Sequence, residues 1–466
     1  MTRTESELRA AAKAADQDHL FDFWSDLEEE QQASLLSQID ALDFEVVNRL
    51  RELQKGGGAV ELEGELEPPE IFPLERNGAT EERARRASQL GDVLLGAGRV
   101  GFVLVAGGQA SRLGYDGPKG AFPVGPVSGR TLFETHGRRL RAASKRYGCP
   151  MPWYVMTSVQ NDTATRSFMK EHHFFGLPED DVFFFSQAML PALGDDGRIL
   201  LADKHRLFLA PNGHGGVLEA LATSGALRDM QEREIDLVSY FQVDNPLVRP
   251  ADPMFFGLHR LQDANMSSKV VEKANPDEKV GVLGRIDGKM GIIEYSDLSD
   301  ELRKARDESG DLRFRAGNIA VHAIDRQFIE ELTNDGLQLP WHLARKQMKV
   351  CGSDGQPTES WGTKFETFVF DALSKATNSV TFEVSRALEF SPVKNAKGTD
   401  SPDTARRDLC AMYADWVRAA GRELPPVAPD GIIPVEIDPM VAESREAFIN
   451  SRARPAVTPK GHHYDG

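Results

Sequence analysis

The chain is predicted to be an α/β protein, with a mixed, mainly parallel sheet carrying helices on both faces. Three observations predict it. From Val100 onward, short apolar runs alternate with helix-length segments in β-α-β-α-β order. The first of these runs, 102–105, is followed at once by Gly107 and Gly108. Residues with chemical potential then recur directly after strands, as Gln187 after 182–185 and Asp244 after 235–243. Open α/β sheets bind their ligands at that carboxyl edge.

In chain order, residues 1–97 read as a helical region. Leu20, Phe21, Phe23, Trp24 and Leu27, then Leu35, Leu36, Ile39, Leu42 and Phe44, recur at helical intervals. The glycine- and proline-rich stretch 55–73 interrupts it, and a second helix is expected over 79–95. Residues 98–388 carry the alternation. Strands are expected at 102–105, 153–156, 182–185, 235–243 and 380–384, and helices at 131–147, 162–173, 216–232 and 365–376. Between 269 and 321 strands replace the alternation (268–272, 280–284, 291–295), with turns at Asn275-Pro276 and Asp287-Gly288. That insertion is expected to wall a pocket over the sheet edge. Residues 389–466 are expected to form a small C-terminal domain with a helix at 404–420 and a mobile polar tail.

The composition narrows the partners. Against 72 acidic residues stand 55 basic ones, a net charge of −17, which disfavours general nucleic-acid binding. Cys149, Cys351 and Cys410 lie far apart, without metal-ligand spacing. The N-terminal stretch is charged and lacks an apolar core, and no apolar run approaches the roughly 20 residues that span a bilayer. A soluble, reduced, cytoplasmic protein without membrane partners is expected.

The chemistry concentrates in FVLVAGGQASRLGYDGPKGAF, residues 102–122. Glycines after a strand let a ligand approach the backbone. Arg112 and Lys119, spaced by Gly114, Gly117 and Pro118, add two cations, and together they make a polyphosphate cradle. No G-x-G-x-x-G is present. A Walker loop is excluded too, because Pro118 separates Gly117 from Lys119 and no Ser or Thr follows. Asp244, in QVDNP, suits Mg²⁺, which takes one or two carboxylates plus phosphates and water; a turn or helix-cap aspartate reads the same way. Lys394, in EFSPVKN, is by spacing alone a surface lysine.

The cradle resembles the G-G-x-x-[ST]-R-L-G…P-K signature of sugar nucleotidyltransferases. With PKGAFPVG it is similar to the eukaryotic-type UDP-sugar pyrophosphorylases (UDPGP type 1). The collinear motifs PWYVMTS, FFGL, QAMLPAL, PNGHGG, VDNPLV, KVVEKANPDEKVGV, EYSDL, AGNIAVH, KFETFVFD and EFSPVKNAKG resemble the UDP-N-acetylhexosamine branch of that family. The resemblance covers most of residues 90–420. It implies a Rossmann-like, GT-A-like nucleotidyltransferase domain at 98–388, with a sugar-binding insertion near 269–321. The implied reaction joins UTP and a sugar 1-phosphate, N-acetylglucosamine 1-phosphate first, into a UDP-sugar and pyrophosphate, with Mg²⁺ on Asp244.

By position, the resemblance implies that Arg112 and Lys119 face the pyrophosphate and Lys394, in FSPxKN, the sugar phosphate. Gly107 and Gly108 would lie against uracil and ribose, Gln187 would read the base edge, and Gly215 would lie along the base. Gly281, Glu294 and Asn318 would meet the sugar, while Phe368 and Phe370 read as core. Two departures stand out. Ala110 replaces a glycine, and His214 stands where the acetylhexosamine branch has asparagine, near the acetamido group. Glucose-type and broad-range members have histidine there, which keeps that specificity open as an alternative. A nucleotide-sugar-binding protein without catalysis is the second alternative, opposed by intact Arg112, Lys119, Asp244 and Lys394. The oligomeric state is not readable from sequence.

Overall fold

The computed structural model describes residues 3–56, 64–295 and 297–466. Part of the predicted interruption at 55–73 (57–63), and Ser296 of the EYSDL motif, lie outside the described residues. The strands that position the chemistry are β1 (Ile71–Phe72), β2 (Val100–Val105), β3 (Trp153–Thr157), β4 (Val182–Ser186), β5 (Leu237–Gln242), β6 (Met266–Glu272), β7 (Val282–Ile286), β8 (Lys289–Ile293), β9 (Ala316–Asp325) and β10 (Thr381–Glu383). They form one sheet in the order β1-β10-β6-β9-β5-β2-β3-β4, with the β7–β8 hairpin off this path. Neighbours run parallel except at β9, which is antiparallel to both β5 and β6.

β2 and β3 are apolar almost throughout because both sheet faces are covered. Phe102, Leu104, Trp153, Val155 and Phe241 are wholly buried in the core. Around the sheet lie α1 (Gly78–Gly96), α2 (Leu132–Tyr147), α3 (Asp162–Glu171), α4 (Pro253–Leu261) and α5 (Pro402–Ala419). Local chemistry sets their ends. The Thr131 side chain accepts from the Glu134 amide to open α2, and Gly148, at φ 70°, closes it. Asp252 caps α4, with Pro253 at its first position. α1 crosses α4 with backbones nearly touching. A Cβ at Gly91 would fall 1.7 Å from the Pro253 carbonyl oxygen, and one at Gly257 would fall 1.7 Å from that of Ala87.

The chain forms two compact units. One comprises residues 1–62, 187–216 and 338–369; the other comprises 63–186, 217–337 and 370–466. In the first, the helices Glu5–Ala14, Glu29–Asp40 and Phe44–Lys55 bury Leu8, Leu35 and Leu50 with Leu193, Ile199 and Phe365. A hairpin of His342–Cys351 and Pro357–Glu366 pairs with Leu193–Gly194. The second unit holds the sheet and α1–α5.

Several expectations change. The region expected at 1–97 is divided, because α1 packs on α4 within the second unit. The expected insertion at 269–321 includes the sheet strands β6 and β9 at its borders, so the added hairpin is β7–β8. Its turn has Asp287 at φ 49° and Gly288 at φ 76°, the two positive angles of a type I′ hairpin. The helix expected at 365–376 is the end of Pro357–Glu366 followed by a short 3₁₀ turn, Val369–Lys375. The helix expected at 216–232 is two, Gly216–Thr223 and Ala226–Glu232, broken at Gly225 (φ 88°). The tail expected to be mobile forms the strand Gly461–Tyr464, paired with Val435–Ile437 and Ala456–Thr458, with Tyr464 buried.

Candidate active site

The glycine turn leaves the end of β2 and is folded back on itself by backbone bonds. The Lys119 amide donates to Gly108 oxygen (3.1 Å) and the Ala110 amide to Gly117 oxygen (3.0 Å). Gly114 sits at φ 71° and Gly117 at φ 145°, both glycine-favouring. Ala110 has φ −92° and is buried, so the alanine in place of the usual glycine fits the turn without strain. Gly108 differs from these. It has an ordinary φ, and a Cβ there would meet nothing within 4 Å. Packing within the chain therefore does not ask for glycine at 108, whereas a ligand lying on the turn would.

From this turn the Lys119 ammonium reaches the Asp244 carboxylate at the end of β5, 3.2 Å away, with both side chains mostly covered. Arg112 lies exposed on the same turn with no ion-pair partner among the described residues. The Val393 amide donates to the Asp244 carbonyl oxygen at 2.8 Å, which sets the exposed Lys394 next to the same strand end. Lys119, Asp244 and Lys394, separated by up to 275 positions (394 − 119), are thus brought together.

Gly281, Glu294 and Asn318 form a second group, at the base of the β7–β8 hairpin. The Asn318 amide donates to Gly281 oxygen (2.9 Å). A Cβ on Gly281 would come within 3.2 Å of Glu294 Oε1. All three are partly exposed.

Gln187, His214 and Gly215 belong to the other compact unit. The Gln187 amide nitrogen donates to Gly213 oxygen. His214 Nδ1 accepts from the Val369 amide (3.2 Å), which fixes the neutral ring with its proton on Nε2. Burial, and then the neighbouring His342, lower its pKa to about 4. Phe368 stacks between His214 (5.1 Å) and His342 (4.3 Å) and is partly exposed, while Phe370 is buried as core. Gly215 is required by the chain itself, because a Cβ would meet the Phe368 amide at 2.7 Å.

Residues 66–401 match the family described as UTP--glucose-1-phosphate uridylyltransferase. The chain belongs to this family.

Among uridylyltransferase relatives, the chain is 39% identical over 446 residues to the UDP-N-acetylhexosamine pyrophosphorylase-like protein 1 of Xenopus tropicalis, covering 90% of this chain and 87% of that one. It is 32% identical to the UDP-N-acetylglucosamine pyrophosphorylase of Saccharomyces cerevisiae, over 93% of this chain and 94% of the other. The crystal structure of the uridine diphosphate N-acetylglucosamine pyrophosphorylase from Trypanosoma brucei, in complex with an inhibitor, superposes with a TM-score of 0.81 at 28% identity, covering 95% of this chain and 94% of that chain.

The donor set at Asp244 fits a magnesium ion that completes its shell with phosphate and water. A closed metal cage is not built there, since no group of three His, Cys, Asp or Glu able to hold a metal occurs among the described residues. The three cysteines are free thiols. No helix of the described residues is long and apolar enough to cross a membrane.

Sequence reasoning missed three residues that shape this candidate site. Buried Asn161 donates to the carbonyls of Ala106 (2.8 Å) and Gly108 (3.3 Å), pinning the turn from beneath. Asn245 ties the strand end to residues 389–391. Its position right after Asp244 was the available signal. His136, on α2, donates from Nε2 to Val243 oxygen (3.1 Å), behind Asp244. Its Nδ1 is buried without a partner.

Burial, then the Arg139 guanidinium, push the His136 pKa down to about 3. The unfolded chain therefore binds a proton near pH 6.5 that the folded chain refuses, and stability is full above that pH and lost as pH falls towards 3. His136 is expected to account for about 2 kcal/mol of destabilisation between pH 7 and pH 5. Urea midpoints at the two pH values should differ less in His136→Gln, which keeps the donor to Val243. An unchanged difference would refute this.

Proposed function

We propose that this uridylyltransferase joins UTP and a sugar 1-phosphate, with N-acetylglucosamine 1-phosphate as the preferred partner, into a UDP-sugar and pyrophosphate. One observation carries the reading. The cradle lysine, the strand-end carboxylate and the FSPVKN segment, remote in sequence, meet at one edge of the sheet. The names of the Xenopus and yeast relatives support the acetylhexosamine preference.

In the reaction a phosphate oxygen of the sugar 1-phosphate attacks the α-phosphorus of UTP. A Pα–O bond forms, the Pα–O bond to the β-phosphate breaks, and pyrophosphate leaves with the electron pair. The nucleophile is already ionised near neutral pH, so no general base is needed. The chain's contribution is alignment and charge stabilisation. Lys119 and Arg112 would face the leaving pyrophosphate and Lys394 the incoming phosphate. Gly107 and Gly108 would let uracil and ribose lie on the turn, Gln187 and Gly215 would meet the base, and Gly281, Glu294 and Asn318 the sugar hydroxyls. Asp244 would hold Mg²⁺, which when bound screens the phosphate oxygens from one another. The enzyme would act in the cytoplasm.

His214 supports a second reading, a glucose or broad sugar preference. It puts a neutral ring with one N–H where an amide would offer both a donor and an acceptor. Pyrophosphate release from UTP with N-acetylglucosamine, glucose and galactose 1-phosphates separates the two. The first sugar is expected to exceed the others in kcat/KM by at least about tenfold, a difference of 1.4 kcal/mol. Equal rates would replace the first reading with the second.

A further inference from the structure

Lys269 on β6 is wholly buried, yet it carries a charge that the catalytic reading does not use. Its ammonium lies 2.6 Å from Asp252 Oδ2 and 2.6 Å from Glu389 Oε2, both carboxylates being nearly as covered. Phe255 and Phe382 flank it at 5.5 and 5.9 Å. Burial alone would raise the Asp252 pKa, but Lys269 and then the Arg249 guanidinium hold it low. Replacing such a buried cluster by apolar side chains of similar volume is often neutral or stabilising, so its retention calls for a reason other than stability.

The two carboxylates bracket the catalytic segments. Asp252 closes the loop that starts at Asp244 and caps α4, its Oδ1 accepting from the Met254 amide (3.1 Å). Glu389 opens the segment that ends at Lys394. Between them runs a ladder. The Asn245 side-chain nitrogen donates to the Glu389 backbone carbonyl (2.7 Å), its side-chain oxygen accepts from the Ser391 amide (3.1 Å), and the Val393 amide donates to the Asp244 backbone carbonyl (2.8 Å). Ser391 is also anchored to Asp408 on α5 at 2.6 Å.

We infer that Lys269 and Glu389 form a clasp that fixes Lys394 against Asp244, so that both are positioning residues for phosphoryl alignment. The inference rests on the uridylyltransferase reading, with Asp244 and Lys394 at the reacting phosphates. A clasp of this kind acts on alignment more than on nucleotide capture, because Lys119 and the glycine turn lie outside it. Its loss should therefore lower kcat while sparing affinity for UTP.

The test is Glu389→Gln, which keeps the shape and leaves the Lys269–Asp252 pair in place. Glu389→Asp serves beside it, retaining charge but shortening the reach. Steady-state pyrophosphate release, UTP Kd by calorimetry and melting temperature are measured on each, with the unaltered protein as the control that separates failure of the clasp from failure of the enzymatic reading. Glu389→Gln is expected to lose about tenfold in kcat with UTP Kd within twofold, and Glu389→Asp to recover part of it. A kcat per folded molecule equal to that of the unaltered protein in both variants would overturn the proposal, whatever the melting temperature does. So would parallel losses in kcat and UTP affinity.

Discussion

Lys119→Ala is expected to cut turnover by about 10²–10³-fold while the protein stays folded. The ion pair with Asp244 is mostly covered, at 18% and 12% side-chain exposure, so its loss is expected to lower the melting temperature without unfolding the chain. The bond that closes the turn comes from the Lys119 backbone amide, which alanine keeps. What disappears is a cation held, before substrate arrives, beside the strand-end carboxylate. Charge placed in advance costs no reorganisation in the transition state, so its removal falls on kcat. Pyrophosphate release at saturating UTP, with melting temperature in parallel, measures both halves. Turnover within threefold of the unaltered enzyme would show that Lys119 does not face the pyrophosphate.

Gly257→Ala is expected to be, with Gly91→Ala, among the most damaging single methyl additions in the second unit. On an exposed helix, glycine to alanine gains about 1 kcal/mol. Here the sign reverses, because the new Cβ would fall 1.7 Å from the Ala87 carbonyl oxygen. Neither partner can swing away, since both are helix backbone, and Gly91 meets Pro253 in the same manner. Helices α1 and α4 would have to separate along their whole crossing, at a cost of about 3 kcal/mol or more. Urea midpoints should fall accordingly, with loss of soluble protein as the extreme outcome. Gly96→Ala, whose Cβ would meet only Tyr147 at 4.0 Å, is the control and should leave the midpoint unchanged or raise it slightly.

The sheet was legible where burial on both faces writes long apolar runs. β2 and β3 were found within two residues of their ends for that reason, and β4, a partly buried edge strand, from its run of phenylalanines. The hairpin of His342–Cys351 and Pro357–Glu366 was illegible because much of it is exposed, and LARKQMKV carries no apolar period for a reader to find. The break at Gly225 looked like one helix because its flanks share a single apolar stripe. The C-terminal strand was missed because GHHY is polar in composition. Its burial comes from Tyr464 packing edge-on against Phe448, which lies sixteen residues earlier. In the site, the motifs and the family resemblance pointed to the residues proposed to touch substrate. They overlooked Asn161, Asn245 and His136, whose bonds to neighbouring backbone carbonyls shape the site from behind, since any loop asparagine or helical histidine has the same local signature.

The threading of the first unit has a consequence for synthesis. Leu8, Leu35 and Leu50 share their core with Leu193, Ile199 and Phe365. The helices that carry the first three of these leave the ribosome ahead of the sheet, yet they lack their full core until the ribosome has added some three hundred more residues. An isolated helix of this length is marginal in water. Strands β2 to β5 are made during that wait. The core of the first unit is therefore complete only after the parallel half of the sheet has been synthesised.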